Sequence, residues 1–92
     1  MSERQVKILK GIAHPVRIAI VQMLADKEIC AYKIAEKFPW DRTTVSKHLT
    51  LMRELGIVED RRDGQSIYYR LKMRCLLTVL ECIENVEGEC VL

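Results

Sequence analysis

No stretch of this 92-residue chain is both long and apolar enough to cross a bilayer, because the most apolar part, residues 8 to 25, is interrupted by His14, Arg17 and Gln22. The opening MSERQVKILK is charged and lacks the apolar segment of a signal peptide. Together these absences predict a cytoplasmic protein with no membrane partner. No internal repeat, low-complexity run or Pro/Gly/Ser linker divides the chain. Residues 1 to 92 are therefore expected to form one domain with a modest core, a size at which a staple or a partner subunit is often needed. No Cys-x-x-Cys is present, and no cysteine and histidine form a recognisable constellation. A thiol enzyme or a metal carrier is accordingly disfavoured, and no catalytic residue or required cofactor is expected.

Basic residues are missing from the end of the chain. Residues 75 to 92 hold four Glu and no Lys or Arg, or −4, whereas residues 1 to 74 hold all fifteen bases against nine acids, or +6. A basic body suits nucleic acid, and an acidic amphipathic tail suits a protein surface or solvent. What the chain does have is cysteine: four residues, three of them in CLLTVLECIENVEGEC. In a reducing compartment they read as buried thiols, metal ligands or redox groups rather than as a disulfide framework.

Apolar spacing predicts a short helix from Val6 to Ala13, ended at His14-Pro15, then a second from Pro15 to about Ala25 that buries Ile18, Val21 and Leu24. A third, about two turns long, runs from Ala31 to Phe38 with Ile34, Ala35 and Phe38 inward. FPWD forces a sharp turn: Pro39 disfavours helix at Phe38, and Asp41 is a good N-cap, with Trp40 and Val45 at the spacing of a hydrophobic staple. The fourth helix, about 41 to 55, buries Val45, Leu49, Met52 and Leu55 and stops at Gly56. Residues 57 to 71 switch to β-branched and aromatic alternation around Asp63-Gly64, a hairpin signal. From Arg74 to about Glu87 a last helix is apolar at 75, 76, 79, 80, 82, 83 and 86, more than one packing stripe requires, which implies a partner.

Helix, helix, short helix, sharp turn, helix, hairpin is the order of a winged helix-turn-helix: mainly α with a small β-hairpin, the fourth helix lying in the major groove of double-stranded DNA. With Val45, Leu49 and Met52 inward, the candidate DNA contacts on the fourth helix are Arg42, Thr43, Thr44, Ser46, Lys47, His48 and Thr50, with Arg61, Arg62 and Gln65 around the wing tip. Arg42, in the first turn, can take a guanine edge bidentately, whereas Lys47 and His48 suit phosphates. A charged helix face is often merely solvated. Small hydroxyls between bases, after a capped turn and before an Asp-Gly hairpin, favour DNA.

LKGIAHPVRIAIVQMLADKEICAYKIAEKFPWDRTTVSKHLTLMRELGIVEDRRDGQSIYYRL resembles the arsenic-repressor (ArsR/SmtB) family, with His14-Pro15-Val16-Arg17 in its opening pattern and TTVSKHLTLMRELGIVEDRRDGQSIYYRL as recognition helix and wing. The resemblance covers about residues 9 to 71. It implies a homodimer, joined through terminal helices, that represses from an inverted-repeat operator and leaves when an inducer binds. The family's metalloid site on the third helix has two cysteines one residue apart, where Cys30 and Tyr32 stand here. Its other site needs histidines on the last helix, and none follows His48.

A thiol site of a different kind is conceivable. Cys75 and Cys82, seven residues apart on a helix, differ by about 20° in direction and about 10 Å along the axis, so they cannot chelate within one chain. Antiparallel pairing of the helix with its copy near Val79 would set each beside the other across the dimer, with Cys90 as a third thiol and Cys30 uninvolved. Trivalent arsenic such as arsenite, another soft metal ion or an oxidant would then be the inducer. Small apolar packing in a dimer seam is the alternative for the same residues. A winged helix without a sensor is the corresponding alternative for the whole.

Overall fold

The computed structural model of the chain describes residues 2–86. Helix α1 (Glu3–Ile12) begins earlier than its apolar pattern because Ser2 and Gln5 form a capping box: the Ser2 hydroxyl accepts from the Gln5 amide at 3.1 Å, and the Gln5 side chain accepts from the Ser2 amide at 3.2 Å. Helix α2 (Pro15–Met23) opens on His14, whose Nδ1 accepts from the Val16 amide at 3.1 Å, with Pro15 in the first turn where no amide is needed. It turns Val16, Ile20, Val21 and Leu24 into the core, and Ile18, expected there, is only half-buried. At about 100° of turn per residue, Val16, Ile20, Leu24 and Val21 lie within an arc of about 140°, and Ile18 falls about 60° beyond Val21, outside the arc.

A three-stranded antiparallel sheet of order β1-β3-β2 replaces the bare hairpin. Strand β1 is only Ile29–Cys30, pairing Ile29 with Tyr69 and Cys30 with Tyr68 of β3 (Ser66–Leu71). Strand β2 (Val58–Asp63) pairs with β3 from Val58 opposite Leu71 to Asp63 opposite Ser66. Gly64 closes the hairpin at φ 63°, a left-handed conformation that costs glycine little. Helix α3 (Ala31–Glu36) leads through the Phe38–Trp40 turn to α4 (Arg42–Glu54). The Trp40 ring, expected to staple onto Val45, is half exposed and stacks on Phe38 with centroids 5.9 Å apart.

Val45, Leu49 and Met52 are at most 2% exposed. Each such burial is worth about 1.5–3 kcal/mol, so the stripe fixes the rotation of α4 about its axis and with it the residues that face out. Gly56, at φ 81°, ends the helix. Directly after it, the buried Ile57 ties three elements together. Its amide donates to the Met52 carbonyl at 2.9 Å, and its own carbonyl accepts from the amides of Lys72 and Met73 at 2.9 and 3.1 Å. Helix α5 (Cys75–Asn85) follows at once. Only Leu76 of α5 is buried; Leu77 and Leu80 pack partly on the core, and Val79, Ile83 and Val86 stay exposed. Cys90 lies outside the described residues.

Candidate nucleic-acid interface

The Asp41 carboxylate accepts from the Thr44 amide at 2.8 Å and is held below its ordinary pKa by its hydrogen bonds to Thr44. This cap starts α4 in a fixed position, and the buried stripe orients it. As a result Arg42, Thr43, Ser46, Lys47 and Thr50 line one open groove along its outer side. All five were legible as outward positions, and the structure brings them together.

A second groove joins α4 to its neighbours. Arg42 and Ser46 of α4, Tyr32 of α3, and Gln65 and Ser66 of the wing all line it, so the wing tip and the first turn of α4 share one surface. The Arg42 guanidinium carbon lies 4.7 Å from the centroid of the Tyr32 ring. Tyr32 was not among the expected contacts. An exposed aromatic in a short helix gives no periodic signal, and only the fold shows which cation it meets.

Three expected contacts stand differently. Arg61 is engaged: it donates to Glu28 at 2.5 Å, lies 3.6 Å from Asp63 and stacks over the Tyr68 ring at 4.8 Å. The bond from Arg61 is the main reason that the Glu28 carboxylate sits below its ordinary pKa. Position 61 faces Tyr68 across the sheet, and Glu28, next to β1, approaches from the same side. His48 is not turned to the α4 groove; it is half-buried, its ring 4.6 Å from that of His14. Burial, and then the charges of His14 and Arg17, push its pKa below the usual histidine value, so at neutral pH it is an uncharged ring rather than a phosphate-binding cation. The side chain of Thr44 is exposed, but its amide is already used by the Asp41 cap. Arg62 and Gln65 are exposed as expected. Among the described residues no carboxylate pairs with Arg42, Lys47 or Arg62.

The thiols are spread out. Cys75 and Cys82 are exposed on α5, and Cys30 is half-buried at the start of α3, with no side-chain capping bond. Among the described residues no group of three or more His, Cys, Asp or Glu side chains could hold a metal ion within one chain. None of their helices is long and apolar enough to cross a membrane.

A short helix, a sharp turn, a helix with a polar outer groove and a hairpin sharing that surface define a winged helix-turn-helix domain. A helix-turn-helix domain model matches residues 12–61. The nodulation protein NolR of Rhizobium meliloti is 30% identical over 81 residues, which cover 88% of this chain and 66% of that protein. The transcriptional repressor SmtB of Mycobacterium tuberculosis is 34% identical over 65 residues, 71% of this chain and 48% of that one. A solved homodimeric winged helix-turn-helix DNA-binding domain from Mycobacterium bovis, described as a possible ArsR-family regulator, superposes with a TM-score of 0.75 at 27% identity, over 95% of this chain and 88% of that one. The chain belongs to the ArsR/SmtB family of winged helix-turn-helix transcriptional regulators. It spans about half to two thirds of the length of the curated relatives that it matches first.

Proposed function

We propose that this chain is a homodimeric transcriptional repressor that binds an inverted-repeat operator and is released by a thiol-reactive inducer. The observation that carries the DNA reading is the α4 groove, where Arg42 and Lys47 stand among the hydroxyls of Thr43, Ser46 and Thr50 and form no ion pair with a carboxylate among the described residues. Donors of this kind fit phosphates and base edges. The repressor role is supported by the SmtB relative, and the dimer by the homodimeric neighbour.

Exposed apolar side chains on the two terminal helices supply a surface for the second subunit: Leu9 on α1 (56% exposed) and Val79 and Ile83 on α5 (38% and 68%). Two-fold pairing of α5 with its copy would bring Cys75 of each subunit toward Cys82 of the other. Both thiols are exposed in the single chain and therefore open to such a partner. Soft metalloid ions favour sulfur ligands, and two thiolates can equally be oxidised to a disulfide by a peroxide. Inducer binding between the subunits would then change the separation of the two α4 helices.

Selection of binding sites from random duplex DNA, followed by gel-shift assays with and without arsenite or peroxide, tests the whole reading. An inverted-repeat consensus, with release by either agent that the Cys75→Ser, Cys82→Ser double variant abolishes, is the expected result. Release unaffected in that variant would assign the thiols to packing. Deleting residues 73 to 92 should leave a monomer in analytical ultracentrifugation, and an intact dimer would remove α5 from the interface.

A further inference from the structure

Tyr32 is 55% exposed, so its ring is not held on α3 by the core. What it meets is Arg42, whose guanidinium carbon stands 4.7 Å from its centroid, one element away and at the start of the α4 groove. A guanidinium over a ring gains the cation–π contact and keeps its outward N–H edge for hydrogen bonds. That edge is uncommitted here. Arg53, Arg61, Arg70 and Arg74 each donate to an acceptor among the described residues, and Arg42 has no such bond.

We infer that Tyr32 is a positioning residue for base reading: it holds the Arg42 fork in the orientation that takes the O6 and N7 acceptors of one guanine in each half-site. The inference rests on the DNA-binding reading above. Arginine carries several rotatable bonds, and a fork free to swing contacts phosphates of any sequence as readily as one base edge. Fixing its plane against a ring removes that freedom before DNA arrives, so less is lost on contact. Guanine is the matching base because its two major-groove acceptors lie side by side, as the fork's donors do. Gln65 and Ser46 line the second groove together with Tyr32 and Arg42 and bound the space through which the fork can reach.

The experiment is site selection from random duplex DNA with the full chain, then titration of the selected site and of versions changed at one base pair, at two salt concentrations. The variants are Tyr32→Phe, Tyr32→Leu, Tyr32→Ala and Arg42→Ala. Tyr32→Phe should retain the parent's preference, since the ring face remains. Tyr32→Leu, which keeps apolar bulk but has no π face, and Tyr32→Ala should each lose roughly two- to fivefold of the discrimination at one guanine. That guanine should be the one at which Arg42→Ala abolishes preference, and affinity for unrelated DNA and the salt slope should not move. Tyr32→Leu discriminating as well as the parent overturns the inference, as does Tyr32→Ala weakening all sequences equally, the result for a phosphate-bound Arg42. A parent that selects no sequence overturns the DNA reading and the inference with it. A parent that selects an operator whose preferences survive in Tyr32→Leu overturns the inference alone.

Discussion

In the α4 groove and on the sheet, cations of the same kind stand in different states. On α4, Arg42 and Lys47 face a shared groove with no carboxylate partner among the described residues. On the sheet, Arg61 is bound to Glu28 and Asp63, and Arg70 to Glu59. Such exposed pairs add little to stability. They do change how much positive charge is open to an incoming polyanion. A count of bases would give helix and wing similar weight at the proposed DNA interface, whereas their pairing leaves Arg42 and Lys47 on α4 and Arg62 at the wing tip without a carboxylate among the described residues, which on that reading favours the helix for direct contact.

The sharpest way to break that contrast is Arg42→Ala. It should lower affinity for the selected operator roughly tenfold or more and relax preference at one base position. Fluorescence anisotropy with operator and scrambled duplexes measures both, and an unchanged ratio would move recognition to the wing. Lys47→Ala should weaken operator and scrambled DNA alike, by a smaller factor, and reduce the slope of log affinity against log salt by about one. Glu28→Gln probes the other side of the contrast. Freed from its main partner, Arg61 should raise affinity for unrelated DNA by roughly twofold and steepen the salt slope, while Arg61→Ala alone should change the parent's binding by less than about twofold. An equal loss in Arg61→Ala and Lys47→Ala would erase the distinction between helix and wing.

The smallest effect concerns His48, the α4 histidine that the fold withdraws from the groove. Its native pKa is depressed, first by burial, so the unfolded chain takes up protons more readily than the folded one as pH falls. Its full contribution to stability is therefore present above the ordinary histidine pKa and is lost as pH drops through the lower native value. Differential scanning calorimetry should show the parent's Tm falling from pH 7.5 to 5.5 more steeply than that of His48→Gln. Both proteins should bind operator within about twofold of each other at pH 7.5. Parallel Tm curves would place the pH sensitivity on other groups.

Much of this was legible from local chemistry. The Asp41 cap, the Val45-Leu49-Met52 stripe, Gly56 and the Asp63-Gly64 turn each act within a few residues and stand where their patterns put them, whereas Leu55, expected in the same stripe, is only half-buried at the end of α4. The Ser2-Gln5 capping box was equally local, and it extends α1 ahead of the apolar pattern that was used to place the helix. What could not be read depends on distant partners. Strand β1 is two residues long, below any periodic signal, and exists through pairing with Tyr68 and Tyr69. Glu28 captures Arg61 from 33 residues away, and His14 meets His48 only because α2 packs on α4. A side chain's chemical type is written in the sequence, whereas its availability is decided by neighbours that the fold supplies.

The doubly bonded carbonyl of Ile57 gives the molecule a stiff joint. Ile57, just past the end of α4, is clamped through one oxygen to the amides of Lys72 and Met73 just ahead of α5, and the Arg74 side chain fastens the same corner to the carbonyl of Ala25 just past α2. A lever turns a small angle at its fulcrum into a displacement that grows with arm length, provided the fulcrum does not yield. At about 1.5 Å of rise per residue, α4 reaches about 20 Å from this corner to Arg42, so a tilt of about 5° at Ile57 moves its first turn by nearly 2 Å. On the proposed DNA reading that is comparable with the tolerance of a hydrogen bond to a base edge, so a small motion at the base of α5 would be large enough to matter at DNA.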